Sequence, residues 1–280
     1  MMNALRVWKI SPGGELLEWT AAEGTPSANA ATRLLPEGAF TTLRTYNRRF
    51  GLRLEDHFRR LEESARLAGH ELKVDRGRLR GLIRDTLLPA FACDLRLRIV
   101  LDLQEVPGCV YAVAEELVTP AEEDYRLGVA AVTRQMQRQN PLAKLTGFLV
   151  EAERTRQAAG PIHEVLMVSA EGRLLEGLSS NFYAVCAGVV WTAEEGVLAG
   201  ITRALILEET DRAGLPVRRE GLPAVDLAKA EEAFISSTSR GVLPVTQIDG
   251  GAVGIGKPGA LTRLISERFT RRLESELEPI

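Results

Sequence analysis

Apolar and polar positions along this 280-residue chain switch repeatedly between a period of two and a period of about 3.6, and the switches mark out its elements. Leu5-Arg6-Val7-Trp8-Lys9-Ile10 alternates like a strand, and Ala39-Phe40-Thr41-Thr42-Leu43-Arg44-Thr45-Tyr46 is a second, rich in Thr and aromatics. Leu54, Phe58, Leu61, Ala65 and Ala68 then recur at helical spacing up to a stop at Gly69. A further helix opens at Asp75, carries Leu79, Leu82, Ile83 and Leu87 on one face and ends near Pro89, and residues 96–103 and 109–113 form a strand pair. The polar, proline-bearing run from Val118 to Asp124 is the best linker candidate. Beyond it the pattern predicts strands at 129–134, 164–169, 181–187, 188–192, 234–237 and 242–248. It predicts helices from about Gly147 to Ala159, from Ile201 to Ala213 after Gly200, and over 260–277. Strands and helices thus mix throughout, without an internal repeat. The expectation is an α/β (α+β) chain of two domains, residues 1–118 and 128–280, joined by a linker at 119–127.

Composition narrows the classes. A hydrophobic fraction of 45% and a charged fraction of 26% are those of an ordinary globular protein. A net charge of −3 provides no basic field to recruit nucleic acid or an acidic membrane, so neither is expected as a partner. Cys93, Cys109 and Cys186 are odd in number and sit among apolar residues, which suits reduced, buried thiols better than a disulfide frame or a metal site. No apolar run reaches membrane-spanning length, and Met1 to Arg6 lacks the apolar stretch of a signal peptide. The expectation is a cytoplasmic protein.

Candidate chemistry starts at Lys144. The chain has only five lysines among its 35 basic residues, yet one lies in Pro141-Leu142-Ala143-Lys144-Leu145-Thr146-Gly147, with no acidic residue within six positions on either side. A lysine among apolar and small residues can be partly desolvated, which favours the neutral, nucleophilic amine that Schiff-base chemistry requires. Solvated surface charge is the commoner fate of a lysine, so its neighbours in sequence matter.

Four local signals accompany it. Leu174-Leu175-Glu176-Gly177-Leu178-Ser179-Ser180-Asn181 places a carboxylate in an apolar strand, where burial is costly without a partner such as a protonated ring nitrogen, although facing solvent at a strand end is the commoner fate of a Glu. Gly200-Ile201-Thr202-Arg203 opens a helix whose free amides suit an anion, as an ordinary capped helix start would also. Ser236-Ser237-Thr238-Ser239 follows an apolar strand with four hydroxyls suited to a phosphate or to a plain turn. His57-Phe58-Arg59-Arg60-Leu61 lets one Arg project towards a phosphate.

Taken in this order, these motifs resemble the class IV, fold-type IV, pyridoxal-phosphate enzymes, a family that includes branched-chain and D-amino-acid aminotransferases and aminodeoxychorismate lyase. The strand Gly38-Ala39-Phe40-Thr41-Thr42-Leu43-Arg44 fits the same pattern, and the resemblance spans about residues 36 to 250. It implies two α/β domains with pyridoxal 5′-phosphate between them, normally in a homodimer. It further implies that Lys144 forms the internal aldimine, that Arg60, Ile201–Thr202 and Ser237–Thr238 hold the 5′-phosphate, and that Glu176 keeps the pyridine nitrogen protonated so the ring acts as an electron sink. Ser180 and Asn181 belong to the same cofactor box, Asn181 as a residue that shapes the loop.

The implied reaction moves an amino group between an amino acid and a 2-oxo acid, with Lys144 as covalent anchor and proton shuttle. The Glu176 and Gly200 boxes are similar to the aminotransferase versions, whereas Phe40-Thr41-Thr42 and Arg240-Gly241 are similar to lyase-like members. A lyase releasing pyruvate and p-aminobenzoate is therefore the alternative, with a family member that no longer catalyses as a third reading. Phe148 stands where branched-chain enzymes usually carry a tyrosine. Substrate-binding candidates are Phe40, Arg44, Arg96, Arg98, Ser239 and Arg240, with Arg96 and Arg98 on one face of their strand.

Overall fold

The computed structural model of the chain describes residues 5–19 and 24–280, so the first residues of the Met1–Arg6 segment lie outside the described residues. The chain divides into two compact units. One comprises the residues up to Val118 together with Ala143–Glu151 and Glu276–Ile280, and the other comprises Thr119–Leu142 and Ala152–Ser275.

The first unit is built on a five-stranded antiparallel sheet. Its strands are β1 (Arg6–Ile10), β2 (Leu16–Glu18), β3 (Gly38–Arg44), β5 (Leu95–Asp102) and β6 (Val110–Glu116), in the order β2-β1-β6-β5-β3. A short helix α1 (Ala28–Thr32) follows β2, while β4 (Phe50–Leu52) leads into α2 (Leu54–Leu67) and then α3 (Arg76–Leu82). Leu54, Phe58, Leu61 and Ala65 of α2 are fully buried in one core with Leu43 of β3 and with Leu97, Ile99 and Leu101 of β5. Removing each large apolar side chain from water contributes about 1.5–3 kcal/mol, which fixes the face α2 turns to the sheet. The helix expected from Asp75 to Pro89 is regular only to Leu82 and continues as a π-helical turn, Ile83–Leu87, and a 3₁₀ turn, Leu88–Ala90. Pro89 has no N–H and its ring crowds the carbonyl four residues back, so the last turns cannot stay α-helical.

The second unit begins with α4 (Glu122–Leu127), so the segment expected as a linker carries a helix. Glu122, Glu123 and Asp124 lie in its first turn, where the helix dipole favours acids, and Gly128 ends it at φ 81°. A nine-stranded sheet follows, with β7 (Val129–Gln135), β8 (Glu164–Val168), β9 (Leu174–Gly177), β10 (Asn181–Cys186), β11 (Val189–Trp191), β12 (Val217–Arg218), β13 (Glu232–Ser237), β14 (Gly241–Ile248) and β15 (Gly251–Ala252). β14, β7 and β8 run parallel to one another, while β10, β13 and β14 are antiparallel. The path β10-β13-β14-β7-β8-β9 closes on itself because Glu176 of β9 pairs with Asn181 of β10. Helix α6 (Ile201–Arg212) belongs wholly to this unit, and the boundary between units falls inside α5 (Phe148–Ala159) and near the end of α7 (Ala260–Glu276).

The units interleave in sequence, whereas the sequence pattern predicts the contiguous stretches 1–118 and 128–280. Residues 143–146 group with the first unit because they hydrogen-bond to the open edge of β3. The Phe40 amide donates to the Lys144 carbonyl (2.8 Å) and the Thr146 amide to the Gly38 carbonyl (2.9 Å). The C-terminal strand β16 (Leu277–Pro279) pairs with β4, and Ile280 is buried in the first core.

Candidate active site

Lys144 is held in the first unit by its own backbone. Its carbonyl accepts from Phe40 as above, and its amide donates to the buried Ser64 hydroxyl (3.0 Å), which in turn donates to the Arg60 carbonyl (2.7 Å). The turn of α2 that carries Arg60 thus also pins Lys144. Gly38 is required where β3 meets this segment, since a Cβ there would lie 2.2 Å from the Leu101 carbonyl oxygen. Lys144 Nζ lies 4.7 Å from the Phe40 ring centroid, within cation–π range, and the Arg98 guanidinium lies 4.9 Å from the same ring.

Arg60 is a cation largely withdrawn from water. Its Nη2 donates to Thr41 Oγ1 (2.8 Å), its Nε has no partner among the described residues, and burial lowers its pKa to about 10. Thr41 Oγ1 also lies 2.8 Å from Nδ1 of the buried His57. The pKa of His57 is held well below its ordinary value by burial, then by the charges of Arg60 and Lys144. A desolvated guanidinium with an unfilled donor is suited to an anion.

The arginines expected to meet the substrate each have a contact within the fold. Arg96 and Arg98 share a face as the alternation requires, but they hold different partners. Arg96 pairs with Glu115 (2.8 Å), while Arg98 donates to Thr32 Oγ1 (3.0 Å) and Asn29 Oδ1 (2.8 Å) of α1. Burial, with Arg96 nearby, lowers the Arg98 pKa to about 9. The Arg44 guanidinium covers the Tyr46 ring at 4.5 Å.

In the second unit, Glu176 is only 2% exposed and does not face solvent. Its Oε1 accepts from Arg138 Nε (2.8 Å) and its Oε2 from Asn181 Nδ2 (3.1 Å). Asn181 also donates to the Leu198 carbonyl (2.9 Å), and so ties the carboxylate strand to the loop before α6. Gly200 ends that loop because a Cβ there would lie 2.2 Å from Asn181 Oδ1. As the N-cap of α6, Gly200 offers no side-chain acceptor to the first amides, and Ile201 and Thr202 that follow are buried. Ser237 ends β13 opposite Gly241, and Thr238 and Ser239 form the partly buried turn between them.

Ser180 and Arg240 converge on a different residue. The fully buried Glu164, first in β8, accepts from Ser180 Oγ (2.8 Å), Ser179 Oγ (2.9 Å) and Arg240 Nη1 (2.8 Å) through Oε2, with Arg156 at 3.7 Å from Oε1. Sequence reasoning missed Glu164, Arg138 and Ser64. Arg138 sits six residues before Lys144, but nothing local distinguishes it among thirty arginines.

Residues 38–248 match the family Amino-transferase class IV, and the chain belongs to that family. It is a pyridoxal 5′-phosphate-dependent aminotransferase that acts between an amino acid and a 2-oxo acid, and the lyase alternative is not favoured. Among its relatives, D-alanine aminotransferase of Bacillus licheniformis is 26% identical over 269 residues, covering 86% of this chain and 89% of that protein. The fold matches the branched-chain aminotransferase of Thermoproteus uzoniensis, solved with norvaline, at a TM-score of 0.78, with 26% identity and 98% of each chain covered. It also matches the branched-chain amino acid aminotransferase of Escherichia coli at a TM-score of 0.78, with 22% identity and coverage of 98% of this chain and 96% of that one. Among the described residues no helix is long and apolar enough to cross a membrane, and no group of three or more His, Cys, Asp or Glu is arranged to hold a metal.

Proposed function

We propose that Lys144 carries the covalent attachment and the proton transfers of this aminotransferase, that Glu176 serves the cofactor's ring nitrogen, and that Arg60 with the Ile201–Thr202 helix start serves its 5′-phosphate. The observation that carries this reading is the tethering of Lys144, whose N–H and C=O are both bonded, to Ser64 and Phe40, so that its main chain is held while its side chain reacts. The donor sets fit the cofactor's two charged ends. Arg60 is a desolvated cation with a donor unfilled, and α6 opens without a side-chain cap. Glu176 is a buried carboxylate that Arg138 and Asn181 orient, which suits it to pair with a protonated ring nitrogen.

Bound pyridoxal phosphate supplies an electron sink for the pair left at the substrate α-carbon. Lys144 Nζ takes the α-proton and returns it to the cofactor side, acting as base and then acid. Arg138, whose Nε donates to Glu176 Oε1, holds that carboxylate in place. Ser237 and Thr238 add hydroxyls for the phosphate, and Phe40, Arg44, Arg96, Arg98, Ser239 and Arg240 remain candidates for contacts to the substrate.

The reading extends to a homodimer in the cytoplasm, supported by the free thiols of Cys93, Cys109 and Cys186 and by the family resemblance. The test is a half-reaction. Protein loaded with pyridoxal phosphate is offered L- and D-amino acids singly, and pyridoxamine phosphate is quantified by chromatography. Conversion with at least one donor, lost in Lys144→Ala, is expected. Inertness towards every donor, with pyruvate released from aminodeoxychorismate, would overturn the reading.

A further inference from the structure

We propose that Thr41 and His57 are positioning residues that aim Arg60 at the cofactor's 5′-phosphate. The inference rests on the assignment of that phosphate to Arg60. An arginine has only donors, so Thr41 Oγ1 accepts from Arg60 Nη2 at 2.8 Å and keeps its own hydrogen. His57 Nδ1 also lies at 2.8 Å from Thr41 Oγ1 and is assigned as the acceptor of that hydrogen, with the proton of the neutral imidazole on Nε2. The result is a directed chain in which Arg60 donates to Thr41 and Thr41 donates to His57. All of its bonds lie inside the protein, since Thr41 is fully buried and His57 is 2% exposed.

The chemistry of the middle residue decides what Arg60 can do. An apolar residue would leave Arg60 Nη2 and His57 Nδ1 both without partners in a desolvated place. A hydroxyl satisfies one guanidinium arm without cancelling its charge, and it fixes the plane of the fork. Of the other guanidinium donors, Nε has no partner among the described residues. His57 is suited to the end of the chain because burial and the neighbouring Arg60 and Lys144 charges keep it neutral, and a neutral imidazole can accept at Nδ1. Ser64, one turn beyond Arg60, ties the same stretch of α2 to Lys144, so the arginine and the lysine share one rigid mount.

The experiment measures the affinity of the folded protein for pyridoxal 5′-phosphate and for pyridoxal, which lacks the phosphate, by fluorescence titration. The set comprises the parent, Thr41→Val, Thr41→Ser, His57→Leu, His57→Asn and Arg60→Ala, each checked by circular dichroism and thermal melting. Thr41→Val and His57→Leu are expected to weaken pyridoxal phosphate about tenfold while leaving pyridoxal affinity unchanged. Thr41→Ser, which keeps the hydroxyl, and His57→Asn, which keeps an acceptor near Nδ1, are expected to stay within about threefold of the parent. The ³¹P resonance of the bound cofactor is expected to shift in Thr41→Val and not in Thr41→Ser. Equal weakening of both ligands, or Thr41→Val binding as tightly as the parent while Arg60→Ala binds weakly, would overturn the positioning role and leave the Arg60 assignment standing. Arg60→Ala binding as tightly as the parent would overturn that assignment, and the positioning role with it.

Discussion

Replacing Glu164 by Gln tests the packing of the second unit around a fully buried carboxylate. The carboxylate is fully buried, and three side chains end on its Oε2: Ser179, Ser180 and Arg240. Hydrogen bonds to a charged acceptor contribute about 1.5–3 kcal/mol each, and breaking a buried ion pair costs about 3–5 kcal/mol. Arg240 and Arg156 are 24% and 27% exposed, so both cations can regain water when the carboxylate is lost. That places the expected cost near the lower bound, at about 3 kcal/mol. For a chain of this size, 1 kcal/mol moves the melting temperature by about 2–4 °C, so the variant should melt roughly 6–12 °C below the parent. The pH dependence has a defined sign. Burial raises the Glu164 pKa, but the charge and hydrogen bond of Arg240, then Arg156 and Ser180, outweigh it and hold the carboxyl below its ordinary 4.5. A carboxyl whose folded pKa is depressed contributes stability that is complete above its unfolded pKa and is lost as pH falls through the folded one. The gap between parent and variant should therefore be constant above about pH 5 and shrink below 4.5. Differential scanning calorimetry across that range is the assay. A neutral-pH difference under about 2 °C, or a gap that ignores acidification, would refute the reasoning.

Two further variants probe the Glu176 strand. Arg138→Met leaves Glu176 buried without its guanidinium and should cost about 3–5 kcal/mol in urea unfolding, with much of the loss recovered in Arg138→Met/Glu176→Gln. Additive losses in the double variant would count against a coupled pair. Gly200→Ala pushes a methyl to 2.2 Å from Asn181 Oδ1 and should destabilise by about 1–3 kcal/mol, and an unchanged urea midpoint would show that the loop does not depend on that contact.

What the sequence reveals and what it hides divide along one physical line. Helix α2, strand β3 and helix α6 are legible because their signals are periodic and local, with Leu54, Phe58, Leu61 and Ala65 on one helical face and Gly200 before a helix start. Lys144 stands out by the neutrality of its neighbours and Glu176 by a carboxylate in an apolar strand. The partners of these residues are not legible. Lys144 meets Ser64 across 80 positions, Glu164 meets Arg240 across 76, and Arg138 meets Glu176 across 38. No periodicity connects such positions, and they come together only when the sheets form. Arg240 shows the consequence. As an isolated Arg in a turn it is a candidate for a substrate carboxylate, while in the fold it holds Glu164 and Ser179. The two-unit division is hidden for the same reason, because residues 143–146 join the first unit through edge hydrogen bonds to β3 that composition does not encode.

The central claim is that Lys144, among five lysines, carries the cofactor. The most direct measurement is borohydride reduction of the protein loaded with pyridoxal phosphate, followed by proteolysis and mass spectrometry of the peptides. The account predicts a single phosphopyridoxyl adduct on the peptide containing Lys144, absent in Lys144→Ala. An adduct confined to Lys9, Lys73, Lys229 or Lys257, or no adduct on a protein that has bound the cofactor, would contradict it.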